Sequence, residues 1–250
     1  MWHKPQLMTA VSDLLLLAAG AALLVAAVIW GAPRLRLIAL HEVRVTQELR
    51  EVQRSQLEES FEGLLHGSFF TVNLEALRLS IERLPWVRRA EVWRKWPARI
   101  DVSIEEHQAV ALWGEGFGEL VNSFGEVFAA PLPAGRQLPR LNGPSGSSAE
   151  ILRRYDEFAQ LLQPIGKQAA QVALSPRLAW ALELEDGMLV ELGREQAKAP
   201  IRMRLQRFVD YYPTLSATRY GRPLAVDMRY PNGFALRFPA SVEHEVKGKK

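Results

Sequence analysis

LPWVRRAEVWRKWPARIDVSIEEHQAVALW, Leu84 to Trp113, is the stretch that decides the fold. Residues Val87 to Glu106 read as two strands around a Lys95-Trp96-Pro97 turn. Ile100, Val102 and Ile104 alternate along the second strand and, with Val92 on the first, predict one buried face. Arg88, Arg89, Arg94, Lys95 and Arg99 interleave with Trp86, Trp93 and Trp96. Such a surface can stack bases and hold phosphates, or rest on anionic headgroups. The plainer reading is a hairpin with a basic solvated face whose aromatics pack on a neighbouring helix. Glu105 and Glu106 do not read as an acid–base pair, because neighbours on a strand face opposite sides; they mark the strand exit.

Upstream, LHEVRV (Leu40 to Val45) alternates as a short strand. SQLEESFEGLL (Ser55 to Leu65) places Leu57, Phe61, Leu64 and Leu65 on one helical face, and Gly67 is expected to end that helix. Asn73 suits an N-cap, with Glu75 in the first turn. The helix after it is expected to bury Leu74, Leu77, Ile81 and Leu84 and to stop at Pro85. Ile38 to His107 therefore reads strand, helix, helix, strand, strand.

Downstream, strand signals resume at AVALW. ELVNSFGEVFAAP predicts two short strands around Asn122 to Gly125, and Pro139 to Ser148 reads as a Gly-, Pro- and Ser-rich loop. Ser147 with Glu150 suggests a capping box for a helix with Leu152, Tyr155, Phe158 and Leu162 on one stripe. In LAWALELEDGMLVELG, Trp180, Leu182 and Leu184 alternate, Asp186-Gly187 turns, and Met188, Val190 and Leu192 alternate back. Pro200 suits the first turn of a last helix with Ile201, Leu205, Phe208, Val209 and Tyr212 on its apolar face, ended by Pro213. EQAKAP (Glu195 to Pro200) looks like an insertion ahead of that helix. The fold class is α+β, with a mixed sheet of hairpins and two helices against one of its faces.

The chain ends on DMRYPNGFALRF (Asp227 to Phe238), two alternating runs around Asn232-Gly233, a strong hairpin signal. Val226, Met228 and Tyr230 are expected on one face of the first run, and Phe234, Leu236 and Phe238 on one face of the second. After Pro239 only a polar tail follows, so this last strand is expected to be a sheet edge with one unpaired row of backbone groups. Such edges are normally blunted by charge, proline or cover; here Arg237 and Pro239 are the only obvious guards. Either the tail covers the edge, or a partner strand adds to it by β-augmentation.

Near the other end, LLLLAAGAALLVAAVIWGA (Leu14 to Ala32) holds no charge. Nineteen residues at about 1.5 Å each nearly cross a hydrocarbon core of about 30 Å. A signal peptide has a shorter apolar region and a small-x-small cleavage site, whereas this run ends in Trp-Gly-Ala-Pro-Arg, so a retained single span is expected. Its flanks leave orientation open: Lys4 and the terminal amine precede it, while Arg34 and Arg36 follow. The formal net charge is +3, and once these flanks and Asp13 are set aside only +1 remains on the folded part, which does not suit a nucleic-acid binder. Cysteine is absent, which excludes disulfides and thiolate sites. There is no nucleophile elbow, HExxH or phosphate loop. The five histidines (His3, His41, His66, His107 and His244) are scattered without ligand spacing. Nothing argues for catalysis, a cofactor, a metal or a small-molecule substrate.

Several of these stretches carry a resemblance. Leu-Pro-Trp-Val at 84–87, Val-x-x-x-Trp-Pro at 92–97 and Glu-x-x-x-x-Ala-x-Trp from Glu106 to Trp113 resemble a POTRA domain of the FtsQ family. LVNSFGEVFAAP, LPRLNGPSGSSAEIL, ELGR, RLQRFVDYYPTL and VDMRYPNG continue the likeness in matching order. One departure is Thr46-Gln47-Glu48, where a glycine often follows the first strand. The resemblance implies a cytoplasmic tail (1–13), a transmembrane helix (14–32), a POTRA domain (38–107), an FtsQ-type β domain (108–240) and a polar tail (241–250). It further implies a bacterial inner-membrane protein at the division septum, N-terminus cytoplasmic and bulk periplasmic. Its expected role is a non-enzymatic divisome scaffold that binds FtsB and FtsL and links early division proteins to septal cell-wall synthesis. Carried over by motif, the partner-binding residues are Arg229, Tyr230, Asn232, Gly233, Phe234, Leu236 and Phe238, with Arg177 ahead of the LAW strand. Tyr230 is the expected anchor, Asn232 and Gly233 the turn, and Arg229 a match for an acidic partner residue. The competing class is a POTRA-bearing transport or envelope-assembly component, but no row of about 10-residue membrane strands is present to form the barrel such proteins carry.

Overall fold

The computed structural model describes residues 5–31, 40, 42–116, 118–216 and 221–239. Expectations placed on other residues, among them Arg34, Arg36 and the polar tail at 241–250, lie outside these. Contacts divide the chain into two units, Met1–Glu106 and His107–Lys250.

In the first unit, helix α1 (Pro5–Gly31) contains the apolar run. Ser12–Trp30 is long and apolar enough to cross a membrane, with none of it buried in protein. A separate βααββ module follows: β1 (Glu42–Val45), α2 (Arg54–Phe61), α3 (Leu74–Ile81), β2 (Val87–Lys95) and β3 (Arg99–Glu106). The sheet order is β1-β3-β2, with β1 parallel and β2 antiparallel to the central β3. The centre of a small sheet needs apolar residues, and Ile100, Val102 and Ile104 are all within 3% of full burial. Leu57, Phe61, Leu77 and Ile81 cover them from the two helices. Asn73 caps α3 as its side chain dictates, accepting from the Ala76 N–H at 3.0 Å.

Three local expectations are corrected here. Helix α2 stops at Phe61, a turn early, because Gly63 takes a left-handed φ of +75°; Leu64 and Leu65 are half-buried in the turn that follows. Leu74, Leu84 and Val92 are half-buried rather than core. Of the hairpin tryptophans only Trp86 is buried; Trp93 and Trp96 stay exposed. Glu106 does more than end a strand. Its carboxylate accepts from the backbone N–H groups of Arg50, Glu51 and Val52 at 2.9, 3.0 and 2.7 Å, fixing the loop after β1. Where a glycine often follows the first strand, Gln47 donates its side-chain amide to the Ile104 carbonyl.

The second unit is one nine-stranded mixed sheet. Its strands are β4 (Ala109–Trp113), β5 (Glu119–Asn122), β6 (Val127–Ala129), β7 (Arg140–Asn142), β8 (Ala169–Leu174), β9 (Ala179–Leu184), β10 (Leu189–Arg194), β11 (Ala225–Asp227) and β12 (Ala235–Arg237). The order is β12-β11-β10-β9-β8-β7-β4-β5-β6. Helices α4 (Ser148–Leu162) and α5 (Ile201–Ser216) pack on one face and against each other. Strict alternation in β9 and β10 sends Trp180, Leu182, Leu184, Val190 and Leu192 under them, while Glu183 stays exposed on the other side. Phe158, Leu162, Leu205 and Phe208 close the core from above, each fully buried.

The sequence reading missed β7 inside its presumed loop and passed over β8. The Ser147–Glu150 capping box does not form: the Ser147 hydroxyl donates instead to the Pro144 carbonyl at 2.6 Å. Ile151, rather than Leu152, lies on the buried stripe of α4. Pro200 stands just before α5, and Glu195 from the insertion-like loop caps that helix by accepting from the Ile201 N–H at 3.0 Å. Pro213 does not end α5. The helix runs on to Ser216, which brings Leu215 into the core at 2% exposure.

Candidate functional site

The terminal strand of the nine-stranded sheet is β12. It pairs antiparallel with β11 in the register Ala225 to Arg237, Val226 to Leu236 and Asp227 to Ala235. Strand β11 lies parallel to β10, and among the described residues nothing pairs with the outer side of β12. Val226 and Met228 are fully buried. Phe234 and Leu236 are half-buried against the same core, and Phe238 alternates with them.

The connection is longer than a two-residue Asn232-Gly233 turn. Residues 228–234 all lie between the strands: the Met228 N–H continues the ladder to β10 at the Glu191 carbonyl, 2.9 Å away, the Arg229 N–H goes to the Asp227 carboxylate at 3.0 Å, and Pro231 has none to give. The loop therefore swings out and Tyr230 leaves the buried face, 54% exposed. Asn232 is exposed at its tip.

Helix α5 holds this loop from one side. The Arg207 guanidinium donates to the carbonyls of Tyr230 and Pro231 at 3.3 and 2.9 Å. The Tyr211 ring meets Phe234 at 5.5 Å between centroids. A cleft lined by Met203, Arg207, Tyr211, Pro231, Asn232 and Phe234 results. Met203 and Tyr211 are about half exposed there, at 56% and 49%.

Arg229 is already engaged within the chain. Asp227 accepts from its Nε and terminal nitrogen at 2.8 and 2.6 Å, and Glu191 lies 3.2 Å away. The Asp227 hydrogen bond raises the arginine pKa still further, and Arg229 lowers that of Asp227. Gly193 makes room for this clamp. It sits in a bulge of β10 with φ +74°, and a Cβ there would approach the Arg229 Cγ to 2.8 Å. Arg177 is exposed in the turn before β9, at the same end of the sheet as the 228–234 loop but with β10 between β9 and β11.

The structure thus brings Arg229, Tyr230, Asn232, Gly233, Phe234, Leu236 and Phe238 onto one hairpin and sets Arg177 apart. Arg207, Tyr211 and Asp227 belong to the same surface and were missed. Their signal was faint: Arg207 and Tyr211 lie on α5 four residues apart, off its apolar stripe. Chemically, the surface offers an open backbone edge, an aromatic ledge and a charge cluster. Among the described residues no group of three or more His, Asp or Glu is placed to hold a metal.

Two family models match the chain. One, described as POTRA domain, FtsQ-type, covers residues 38–107; the other, described as Cell division protein FtsQ/DivIB, C-terminal, covers residues 111–229. Relatives named Cell division protein FtsQ include that of Burkholderia pseudomallei, 40% identical over 80% of this chain and 79% of the relative. That of Bordetella pertussis is 35% identical over 100% of this chain and 97% of the relative, and that of Nitrosospira multiformis 38% over 95% and 99%.

Proposed function

Because this chain belongs to the FtsQ/DivIB family of cell division proteins, we propose that it is a membrane-anchored, non-enzymatic scaffold of the bacterial divisome. Its β12 edge receives a strand from a partner polypeptide. The observation that supports this reading is the juxtaposition of an uncovered terminal strand with the exposed rings of Tyr230 and Tyr211. Main-chain hydrogen bonds along an edge supply affinity, and neighbouring side-chain pockets supply specificity. Half-exposed tyrosines beside such an edge are the residue type that dominates interface energetics.

The proposed partner is FtsB, with FtsL beside it, a choice that the family resemblance supports. The span, Ser12–Trp30, anchors the chain in the inner membrane at the septum, with the folded units in the periplasm. In that arrangement the Asp227–Arg229–Glu191 cluster stands ready to exchange one of its internal contacts for a charged partner group. Arg177 forms a separate, peripheral contact.

The test is co-purification of FtsB and FtsL with the full-length chain in detergent. Tyr230→Ala and Ala235→Pro each abolish capture, while circular dichroism shows both variants folded. Capture equal to the parent by both folded variants contradicts the proposal. A C-terminal phosphatase fusion, active only outside the cytoplasm, tests the orientation.

A further inference from the structure

The POTRA module carries a second exposed aromatic surface, far along the chain from the β12 edge. Strand β1 runs parallel to β3, with Glu42 opposite Arg99. The point at which the chain enters the module therefore lies at the same end of the sheet as the β2–β3 turn, Trp96 to Ala98. Trp96 is 78% exposed there. On the preceding strand, the Arg94 guanidinium donates to the carbonyls of Phe69, Phe70 and Val72 at 2.9, 3.3 and 2.7 Å. That clamp brings Phe70, itself 63% exposed, to the same end.

Charge at this tip favours an anionic surface. Arg99 is paired with Asp101. Lys95 and Arg94 have no carboxylate partner among the described residues, and Glu42 stands opposite Arg99 at the start of β1. Solvation alone does not account for two large apolar rings held outward beside unneutralised cations. Aromatic rings with flanking Lys and Arg are the side chains that settle at a membrane interface.

Chain length supplies the occupant. Helix α1 ends at Gly31 and β1 begins at Glu42. The ten residues between them span at most about 35 Å when fully extended, so this end of the module is tethered close to the bilayer that α1 is built to cross.

We infer that the Trp96–Phe70 tip is a membrane-surface contact, seated in an anionic headgroup layer and fixing the POTRA module upright over its own anchor. The inference rests on the span alone and holds whether or not the β12 edge binds a partner.

The chain has no cysteine, which permits a direct test. Full-length protein carrying Lys95→Cys or, separately, Arg89→Cys is labelled with nitrobenzoxadiazole and reconstituted in vesicles of phosphatidylethanolamine and phosphatidylglycerol. Position 89 lies on the same strand, about 20 Å from the tip. The label at 95 emits at shorter wavelength and is quenched by headgroup spin-labelled lipid, and the label at 89 shows neither effect. Adding Trp96→Ser to Lys95→Cys reverses both. Equal quenching at the two positions, quenching indifferent to Trp96→Ser, or shielding at 95 that requires an added partner protein overturns the inference.

Discussion

The Arg204 guanidinium donates to the main-chain carbonyl of Leu192 at 2.5 Å, and the same nitrogen reaches the carbonyl of Arg194 at 2.8 Å. Arg204 is 2% exposed. These bonds tie α5 to β10 at the bulge around Gly193, on the strand that carries β11 and, beyond it, β12. Helix α5 therefore fixes the platform of the C-terminal hairpin through a polar contact as well as an apolar stripe. Arg204→Met keeps much of the volume but leaves both carbonyls without this donor. Urea unfolding should show a loss of about 1–3 kcal/mol; stability equal to the parent would mean that the carbonyls find other donors.

The Glu106 carboxylate organises the loop after β1 from a distance of more than fifty residues in sequence. Glu106→Ala removes acceptors from three backbone N–H groups at once. Amide exchange at residues 50–52 should accelerate, with a stability loss of about 1–3 kcal/mol. Unchanged exchange at those three amides would show that the carboxylate does not protect them.

Packing at the POTRA core makes a separate prediction. Ile104 is 3% exposed, in a sheet with few other residues to fill a gap. Thermal or chemical unfolding of Ile104→Ala should reveal a loss of about 2–5 kcal/mol. A loss below 1 kcal/mol, on the same scale, would require the surrounding side chains to close the cavity.

Two aspartates set an acid-side dependence. Burial acts to raise the Asp186 pKa, but the Lys167 ammonium at 2.8 Å, the Met188 N–H and Arg222 outweigh it and hold the group below its usual 3.8. Asp227 lies below 3.8 because Arg229 donates to it. A depressed folded pKa contributes stability that is present above the unfolded value and lost as pH falls through the folded one. The Asp186→Asn, Asp227→Asn double variant should therefore be less stable than the parent at neutral pH and converge with it below 3.8. Parallel stability curves through that range would contradict the assignment.

What the sequence made legible follows from period and length. Strands that alternate over several residues with one covered face, such as Trp180 to Leu184 and Ile100 to Ile104, were readable because burial on one side writes a period of two. Strand β8 was not, since a bulge between Ala169 and Gln171 breaks its period and leaves only Val172 and Leu174 alternating on the buried side. The three residues of β7 are too few to show a period. The edge position of β12 was readable from the polar tail after it. The loop at 228–234 was not, because it is held by Arg207 of α5 bonding the Tyr230 and Pro231 carbonyls, a contact that no local pattern announces. Tertiary contacts also overrode a local signal at Pro213, where Leu215 packing carries the helix past the proline; at Ser147 one local bond displaced another, the hydroxyl taking the Pro144 carbonyl. The contributions of Arg207 and Tyr211 emerged only when α5 was laid beside the hairpin.

Pairing of a partner strand with β12 is read directly by backbone hydrogen exchange. The amides of residues 235–238 are measured in the full-length chain, alone and with saturating FtsB. On binding, the outward-facing amides of this strand should gain strong protection, while amides of β6 at the opposite edge do not change. Bound FtsB with no added protection along β12 would contradict it.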